Sequence, residues 1–177
     1  MSWNIAVHVE REIEDGGEYA SRLEYVCCLH DNFKWYIDNE YFENLPNETD
    51  FSEGLADIYG QLNSAKVVRP AELQQYAVNL IDKSTAIKKT IWSALGLPEY
   101  TDDEYADVAC DKYDSSGNID PNWNPLTFPV NKELFDKLQE ADFGSAKGCR
   151  ILGMLDSLEA QTGVTPLNEY RLVLVRE

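Results

Sequence analysis

The sequence predicts an α+β protein in which a small antiparallel sheet packs on several helices. Three observations support this fold class: alternating apolar and polar residues near the N-terminus, an apolar run near the C-terminus, and a long helical pattern between them. The chain has 177 residues, which is the size of one domain, and its 44% of hydrophobic residues can form a core. We therefore expect a single α+β domain over residues 1–177.

The strands are predicted at the two ends of the chain. Within residues 1–45, apolar side chains alternate with polar or small ones over 3–9, 19–29 and 33–37, which predicts a meander of three half-buried strands. Residues 169–176 are apolar enough for a strand that is buried on both faces. The meander and the C-terminal strand are expected to form the sheet.

Residues 50–96 read as helical. Asp50 and Glu53 have the spacing of a capping box, which predicts a helix near 51–62. From Pro70 the apolar residues keep a 3.6-residue period until a glycine and a proline end the pattern. This indicates a long central helix at about 70–95, roughly 39 Å in length.

Residues 101–163 combine predicted helices with an acidic, proline-containing loop. Thr101 is placed to cap a short acidic helix, and residues 113–129 are rich in Asp, Ser, Gly, Asn and Pro, as in a loop. Asn131 and Ser145 are predicted to cap two further, separate helices.

The charge of the chain is strongly negative and unevenly distributed. There are 32 acidic and 15 basic residues, so the net charge is −17. The net charge is −11 over residues 1–60 and −7 over 98–125, whereas 61–97 carry +3. This balance argues against direct binding of nucleic acid or of an anionic membrane. No apolar run approaches the ~20 residues of a membrane span, and we expect a cytoplasmic location, in the host cytosol if the protein is phage-encoded.

Eight acidic residues are the candidates for a protein-binding surface, because carboxylates spaced along a surface can imitate phosphates. They are Glu10, Glu12, Glu14, Asp15, Asp102, Asp103, Glu104 and Asp107.

A weak calcium loop is an alternative use of the acidic segment. Asp114, Ser116 and Asp120 fall at ligand positions of an EF-hand pattern, but Lys112 and Trp123 occupy two positions where strong ligands belong. An ordinary acidic turn is favoured, and we expect neither a metal nor a cofactor.

A small enzyme is a second alternative. Cys28 and His30 lie two residues apart, so a regular strand would place them on one face, with His8 as a neighbour in the sheet. A thiol beside an imidazole can act as a nucleophile, and a pair of carboxylates could serve in acid–base chemistry. Cysteines in a chain of this kind are otherwise typical of reduced, packed thiols.

Several short segments resemble parts of a family of small uncharacterised proteins carried by phages and bacteria. They are Trp3-x-Ile5-x-Val7-x-Val9-Glu10, Gly96-Leu97-Pro98, Leu126-Thr127, Glu133-Leu134 and Arg171-Leu172-Val173. The family's His-Ser pair before the Leu-Thr segment is replaced here by Asn122-Trp123-Asn124. The resemblance implies a phage-type accessory protein and no known activity.

The function predicted from these observations is an acidic protein-binding module. It would act as a phage-type, anti-CRISPR-like inhibitor that occupies the basic nucleic-acid-binding surface of a host defence nuclease. The expected partner is a protein with a basic groove, and neither nucleic acid nor membrane is bound directly. The alternatives are the small enzyme, a structural or accessory phage-type protein, and the weak calcium-binding module.

Overall fold

A computed structural model describes residues 3–13, 22–94, 132–162 and 169–177 of the chain. A five-stranded antiparallel sheet packs against helices, which confirms the predicted α+β class. The strands are β1 (Ile5–Ile13), β2 (Arg22–His30), β3 (Asn47–Glu48), β4 (Ala65–Val68) and β5 (Tyr170–Arg176). The helices are α1 (Asn39–Asn44), α2 (Glu53–Tyr59), α3 (Pro70–Ala94) and α4 (Lys132–Thr162).

The chain divides into two compact units. Residues 1–79 and 147–177 form the first unit, which contains the sheet, and residues 80–146 form the second. The expectation of one domain over the whole chain stays a prediction. Among the described helices, none combines the length and the apolar character needed to cross a membrane.

The strand order is β2-β1-β5-β4-β3, so the N-terminal and C-terminal strands pair at the centre of the sheet. The first two predicted strands and the C-terminal strand are therefore confirmed. β5 is buried on both faces, as its apolar sequence predicts. β1 differs from its prediction as a half-buried strand, because the residues from Ile5 to Glu10 are buried on both faces.

The third predicted strand of the meander is wrong. Phe33–Trp35 form a 3-10 turn, and α1 follows it. Phe33 and Ile37 are buried, whereas Trp35 between them is 62% exposed. The buried side chains are therefore four residues apart, which is a helical spacing, and the apparent alternation through Trp35 was misleading.

The short strands β3 and β4 complete the sheet in a region where no strand was predicted. The helix predicted near 51–62 is confirmed as α2, but its N-cap is Ser52 instead of Asp50. The Ser52 hydroxyl accepts a hydrogen bond from the Leu55 N–H, and Gly60 at φ 68° ends the helix.

The long helix is confirmed as α3, whose 25 residues match the predicted span. α4 is one continuous helix of 31 residues, so the predicted helix start at Ser145 is wrong. The neighbouring Gly144 lies inside this helix, and a Cβ there would lie 2.6 Å from the hydroxyl of Ser84 on α3. The glycine thus allows the two helices of the second unit to approach closely. The predicted acidic helix at Thr101 and the loop over 113–129 lie outside the described residues.

Candidate functional site

One face of the sheet carries polar side chains at its centre. His8 and Glu10 lie two residues apart on β1, so both side chains project from the same face. On this face α2 packs its buried Leu55 against Val173 and Val175 of β5. Because α2 covers them, His8 is only 4% exposed and Glu10 is fully buried.

Glu10 forms a buried ion pair with Arg171, which lies directly opposite it on β5. Arg171 Nε donates to Glu10 Oε2 at 2.8 Å, and Nη2 lies 2.7 Å from the same oxygen. The other oxygen, Oε1, accepts hydrogen bonds from the Ser52 N–H at 2.7 Å and from the Ser52 hydroxyl at 2.6 Å. The arrangement compensates the buried carboxylate and joins the start of α2 to the central strand.

His8 lies in a chain of hydrogen bonds that runs from β2 through α2 to the end of β5. Its Nε2 is 2.6 Å from the hydroxyl of Tyr59, which donates to Glu177 Oε1 at 2.8 Å. Since Tyr59 gives its proton to Glu177, its oxygen accepts from His8 Nε2–H. His8 Nδ1, 3.2 Å from the hydroxyl of Tyr25, then accepts from that hydroxyl.

The protonation states follow from burial. Burial lowers the pKa of His8, and the charges of Glu177 and Glu10 oppose only part of this effect, so the ring is neutral at pH 7. Burial, and then the hydrogen bond to Glu177, raise the pKa of Tyr59. While the chain of hydrogen bonds is intact, both imidazole nitrogens are engaged, so His8 offers neither a metal ligand nor a free base.

Cys28 and His30 do not form the predicted pair. A bulge in β2 separates them, because Cys28 lies opposite His8 whereas His30 lies opposite Val7. The extra residue between them reverses the alternation and sends the two side chains to opposite faces of the sheet. The Cys28 thiol donates to the backbone carbonyl of His30, at 3.7 Å. Burial also raises the pKa of Cys28, which disfavours the reactive thiolate. The predicted proximity of His8 to Cys28 is confirmed.

The structure places two of the eight predicted acidic residues and corrects the expectation for one of them. Glu10 is fully buried and paired with Arg171, so it is not a surface carboxylate that a partner can reach. Glu12 is 39% exposed and lies 2.8 Å from the guanidinium of Arg69. The other six lie outside the described residues: Glu14, Asp15, Asp102, Asp103, Glu104 and Asp107.

The calcium candidates Asp114, Ser116 and Asp120 also lie outside the described residues. Within the described ranges, no group of three or more His, Cys, Asp or Glu side chains is arranged to hold a metal ion.

An open groove of about 580 Å³ lies between β2 and the segment that leads into α2. Tyr25 and Phe51 contribute aromatic rings to its lining, and Arg22 is its basic residue. Three exposed carboxylates also line it: Glu24, Asp50 and Glu53. Within the described part of the chain, these three carboxylate groups make neither an ion pair nor a hydrogen bond. The groove, which we call the acidic groove, therefore has more acidic than basic side chains in its lining, together with two aromatic rings.

Sequence reasoning missed Tyr25, Tyr59 and Ser52 as partners of the buried polar residues. The sequence does place His8 and Glu10 at alternate positions of a strand. This pattern is equally typical of a strand face that is exposed to solvent. Only the packing of α2 shows that this face is covered.

Comparison of the chain with models of known protein families, with curated proteins and with solved structures finds no match. The resemblance to a phage and bacterial family stays a prediction, and the function has to be argued from the residues themselves.

Proposed function

We propose that this chain is an acidic protein-binding module that presents carboxylates to the basic groove of a partner protein. The partner class is a nucleic-acid-handling protein, with a phage-type inhibitor of a host defence nuclease, such as a CRISPR nuclease, as the specific case. The acidic groove is the observation that carries the proposal, because its three carboxylates outnumber its one basic side chain, Arg22, and form no ion pair within the described residues.

The lining of the acidic groove suits basic side chains in particular. A guanidinium or ammonium group entering it would meet the carboxylates of Glu24 and Glu53, and the ring of Tyr25 can stack on an arginine. The ring of Phe51 already contacts a cation of the chain, because the Arg171 guanidinium lies 5.8 Å from its centre. Tyrosine beside charge is typical of protein interfaces. The net charge of −17 would also steer a basic partner towards the chain at long range.

The small-enzyme alternative is less well supported. The thiol and imidazole on which it depended project from opposite faces of β2, and the nitrogens of His8 are both occupied. Carboxylates such as Glu10 and Glu12 are bound in ion pairs and are not free for acid–base chemistry. The unpaired carboxylates of the acidic groove are solvent-exposed, so they lack the desolvation that raises the pKa of a catalytic acid. The structural or accessory alternative stays open to the experiment below.

A pulldown with matched charge-reversal variants tests the proposal. The tagged chain captures proteins from a bacterial lysate at low and at high salt, and bound proteins are eluted with DNA and identified by mass spectrometry. Glu24→Lys/Glu53→Lys removes two carboxylates of the acidic groove. Asp156→Lys/Glu159→Lys changes the net charge equally at exposed positions of α4. A third variant reverses the charge at four acidic residues predicted from the sequence: Asp102, Asp103, Glu104 and Asp107.

We expect capture of a nucleic-acid enzyme that weakens with salt, is competed by DNA and is lost in the groove variant but kept in the α4 variant. Loss only in the third variant would move the binding surface from the acidic groove to residues 102–107. Equal loss of capture in the groove and α4 variants would show that capture depends only on the net charge of the chain. It would refute a specific binding surface in the acidic groove. Capture that DNA does not compete would overturn the proposed partner class.

A further inference from the structure

A second, smaller pocket lies on the other side of β2 from the acidic groove. It occupies about 210 Å³ where the end of β2 and the turn after it face α4, within the first unit. Its lining includes His30, Tyr36 and Arg150, together with apolar Leu29 and Met154. Among the described residues, no Asp or Glu lines it, although the chain has 32 acidic residues. The pocket therefore differs in charge from the acidic surface around it.

Arg150 supplies the positive charge of this pocket. The side chain is exposed, and within the described part of the chain it forms no ion pair with a carboxylate. Its guanidinium lies 5.7 Å from the centre of the Tyr36 ring, a cation–π contact that limits its orientation. An arginine held against a ring, with its N–H groups unpaired, is suited to a planar or tetrahedral oxyanion.

His30 and Tyr36 provide further hydrogen-bond donors. The backbone N–H of Asn32 donates to His30 Nδ1 at 3.0 Å, so the neutral ring carries its proton on Nε2. That N–H is left as a donor. The Tyr36 hydroxyl has no partner within the described part of the chain and can donate as well. The residues that carry these three groups, Arg150, His30 and Tyr36, thus line one small pocket.

We propose that this pocket binds a small oxyanion, either a phosphate group or a carboxylate. Arg150 provides the charge, and His30 Nε2–H and the Tyr36 hydroxyl provide hydrogen bonds. The pocket is smaller than the 300 Å³ or more that is usual for drug-sized ligands, so it suits the anionic group itself and not a large molecule. The site is separate from the acidic groove and does not depend on the function proposed there.

NMR of the histidine rings tests this directly, because the chain has two histidines. Sodium phosphate and sodium acetate are titrated in turn at fixed neutral pH, with sodium chloride keeping the ionic strength constant. We expect the His30 ring signals to shift saturably with a Kd of about 1 mM or tighter, while those of the buried His8 stay in place. Saturation with phosphate, with acetate or with both supports the proposal and identifies the anion.

Matched variants separate a built site from general charge. Arg150→Gln is expected to weaken binding by at least about tenfold, because it removes a charge-assisted contact. Arg22→Gln, which also removes one exposed arginine, is expected to leave the affinity unchanged. Tyr36→Phe keeps the ring under the guanidinium and removes only the hydroxyl, with an expected loss of about two- to tenfold.

The absence of a saturable His30 shift with either anion would overturn the proposal. Equal weakening in Arg150→Gln and Arg22→Gln would do the same, since it would show a response to net charge alone. All three substituted residues are at least partly exposed, and circular dichroism of each variant confirms that the fold is retained.

Discussion

The buried ion pair of Glu10 and Arg171 makes the sharpest prediction about this fold, and Arg171→Met is the change that tests it. Methionine keeps much of the length and the apolar stem of arginine but carries no charge. Glu10 would then be a carboxylate with 0% exposure and no cation, held only by its two hydrogen bonds from Ser52. The Arg171 side chain itself is 10% exposed, so water cannot readily replace the lost guanidinium.

The size of the effect follows from these contacts. Removing one partner of a buried ion pair costs about 3–5 kcal/mol. Since Ser52 still donates two hydrogen bonds to the remaining carboxylate, we expect the lower end, about 3 kcal/mol in the free energy of unfolding. For a chain of this length, that corresponds to a fall in Tm of roughly 6–12 °C.

Urea denaturation of a double-mutant cycle measures the coupling. The variants are Arg171→Met, Glu10→Gln and the pair together. Glutamine keeps an oxygen that accepts from Ser52 but no charge, so the double variant contains no unpaired ion. We expect it to lose about 2 kcal/mol less than the sum of the two single variants. Arg11→Met is the control, because the ion pair of Arg11 with Glu169 is 42% and 43% exposed and should contribute about 0–1 kcal/mol.

Two results would refute the reasoning. One is a loss below about 1 kcal/mol in Arg171→Met, which would mean that Glu10 is hydrated or protonated in the folded protein. The other is strict additivity in the cycle, which would mean that the two residues act independently. A surface role for Glu10 in partner binding predicts both of these results, so the cycle distinguishes the sequence-based expectation from the structure.

Three further predictions concern His8 and the helix α2 that covers it. Folding lowers the pKa of His8 below its ordinary value of about 6.5, so between these two pKa values the unfolded chain binds more protons than the folded chain. The free energy of unfolding should therefore decrease as the pH falls from about 6.5 through the lowered pKa. His8→Gln should flatten this pH dependence in urea denaturation. Gly54→Ala should destabilise the fold by about 1–3 kcal/mol, because the new Cβ would lie 2.7 Å from Tyr25 Cβ. Gly153→Ala on α4 should stabilise the fold by about 0.5–1 kcal/mol, because no atom lies within 4 Å of the new Cβ. Thermal unfolding measures both effects. Ser52→Ala should cost about 1–3 kcal/mol, because it removes both an N-cap and a hydrogen bond to Glu10, and calorimetry measures it.

Each of these has a result that contradicts it. An unchanged pH dependence in His8→Gln would show that the ring is not buried as a neutral group. Equal changes in stability in Gly54→Ala and Gly153→Ala would show that α2 does not approach β2 closely enough at Gly54 to exclude a Cβ. A Ser52→Ala protein as stable as the parent would place the N-cap at another residue, with Asp50 of the predicted capping box as the candidate.

Much of the fold could be predicted because it depends on long, regular patterns. The period of α3 extends over 25 residues, and β5 is an unbroken apolar run, so both elements and the α+β class follow from the sequence. Short elements escaped prediction, since β3 has two residues and β4 has four. The errors at Trp35 and Ser145 have a common cause: tertiary packing overrode a local signal for a strand in one case and for a new helix start in the other.

The candidate site was harder to predict than the fold, because its partners come from distant parts of the chain. His8 meets Tyr59 across 51 residues, and Glu10 meets Arg171 across 161. A polar residue at every second position of a strand indicates a solvent-facing side, and nothing local shows that a seven-residue helix will cover it. The position of the bulge that separates Cys28 from His30 is likewise set by pairing with β1 and not by the sequence of β2 alone.

The internal ion pairs also bear on the proposed function. Within the described residues, four arginines and two lysines form salt bridges with carboxylates of the same chain: Arg11, Arg69, Arg171, Arg176, Lys88 and Lys147. None of these six paired residues lines the acidic groove, whose basic residue is Arg22. Glu10 is thus engaged inside the fold, whereas Glu24 and Glu53 are the exposed carboxylates on which the proposed binding of a basic partner depends.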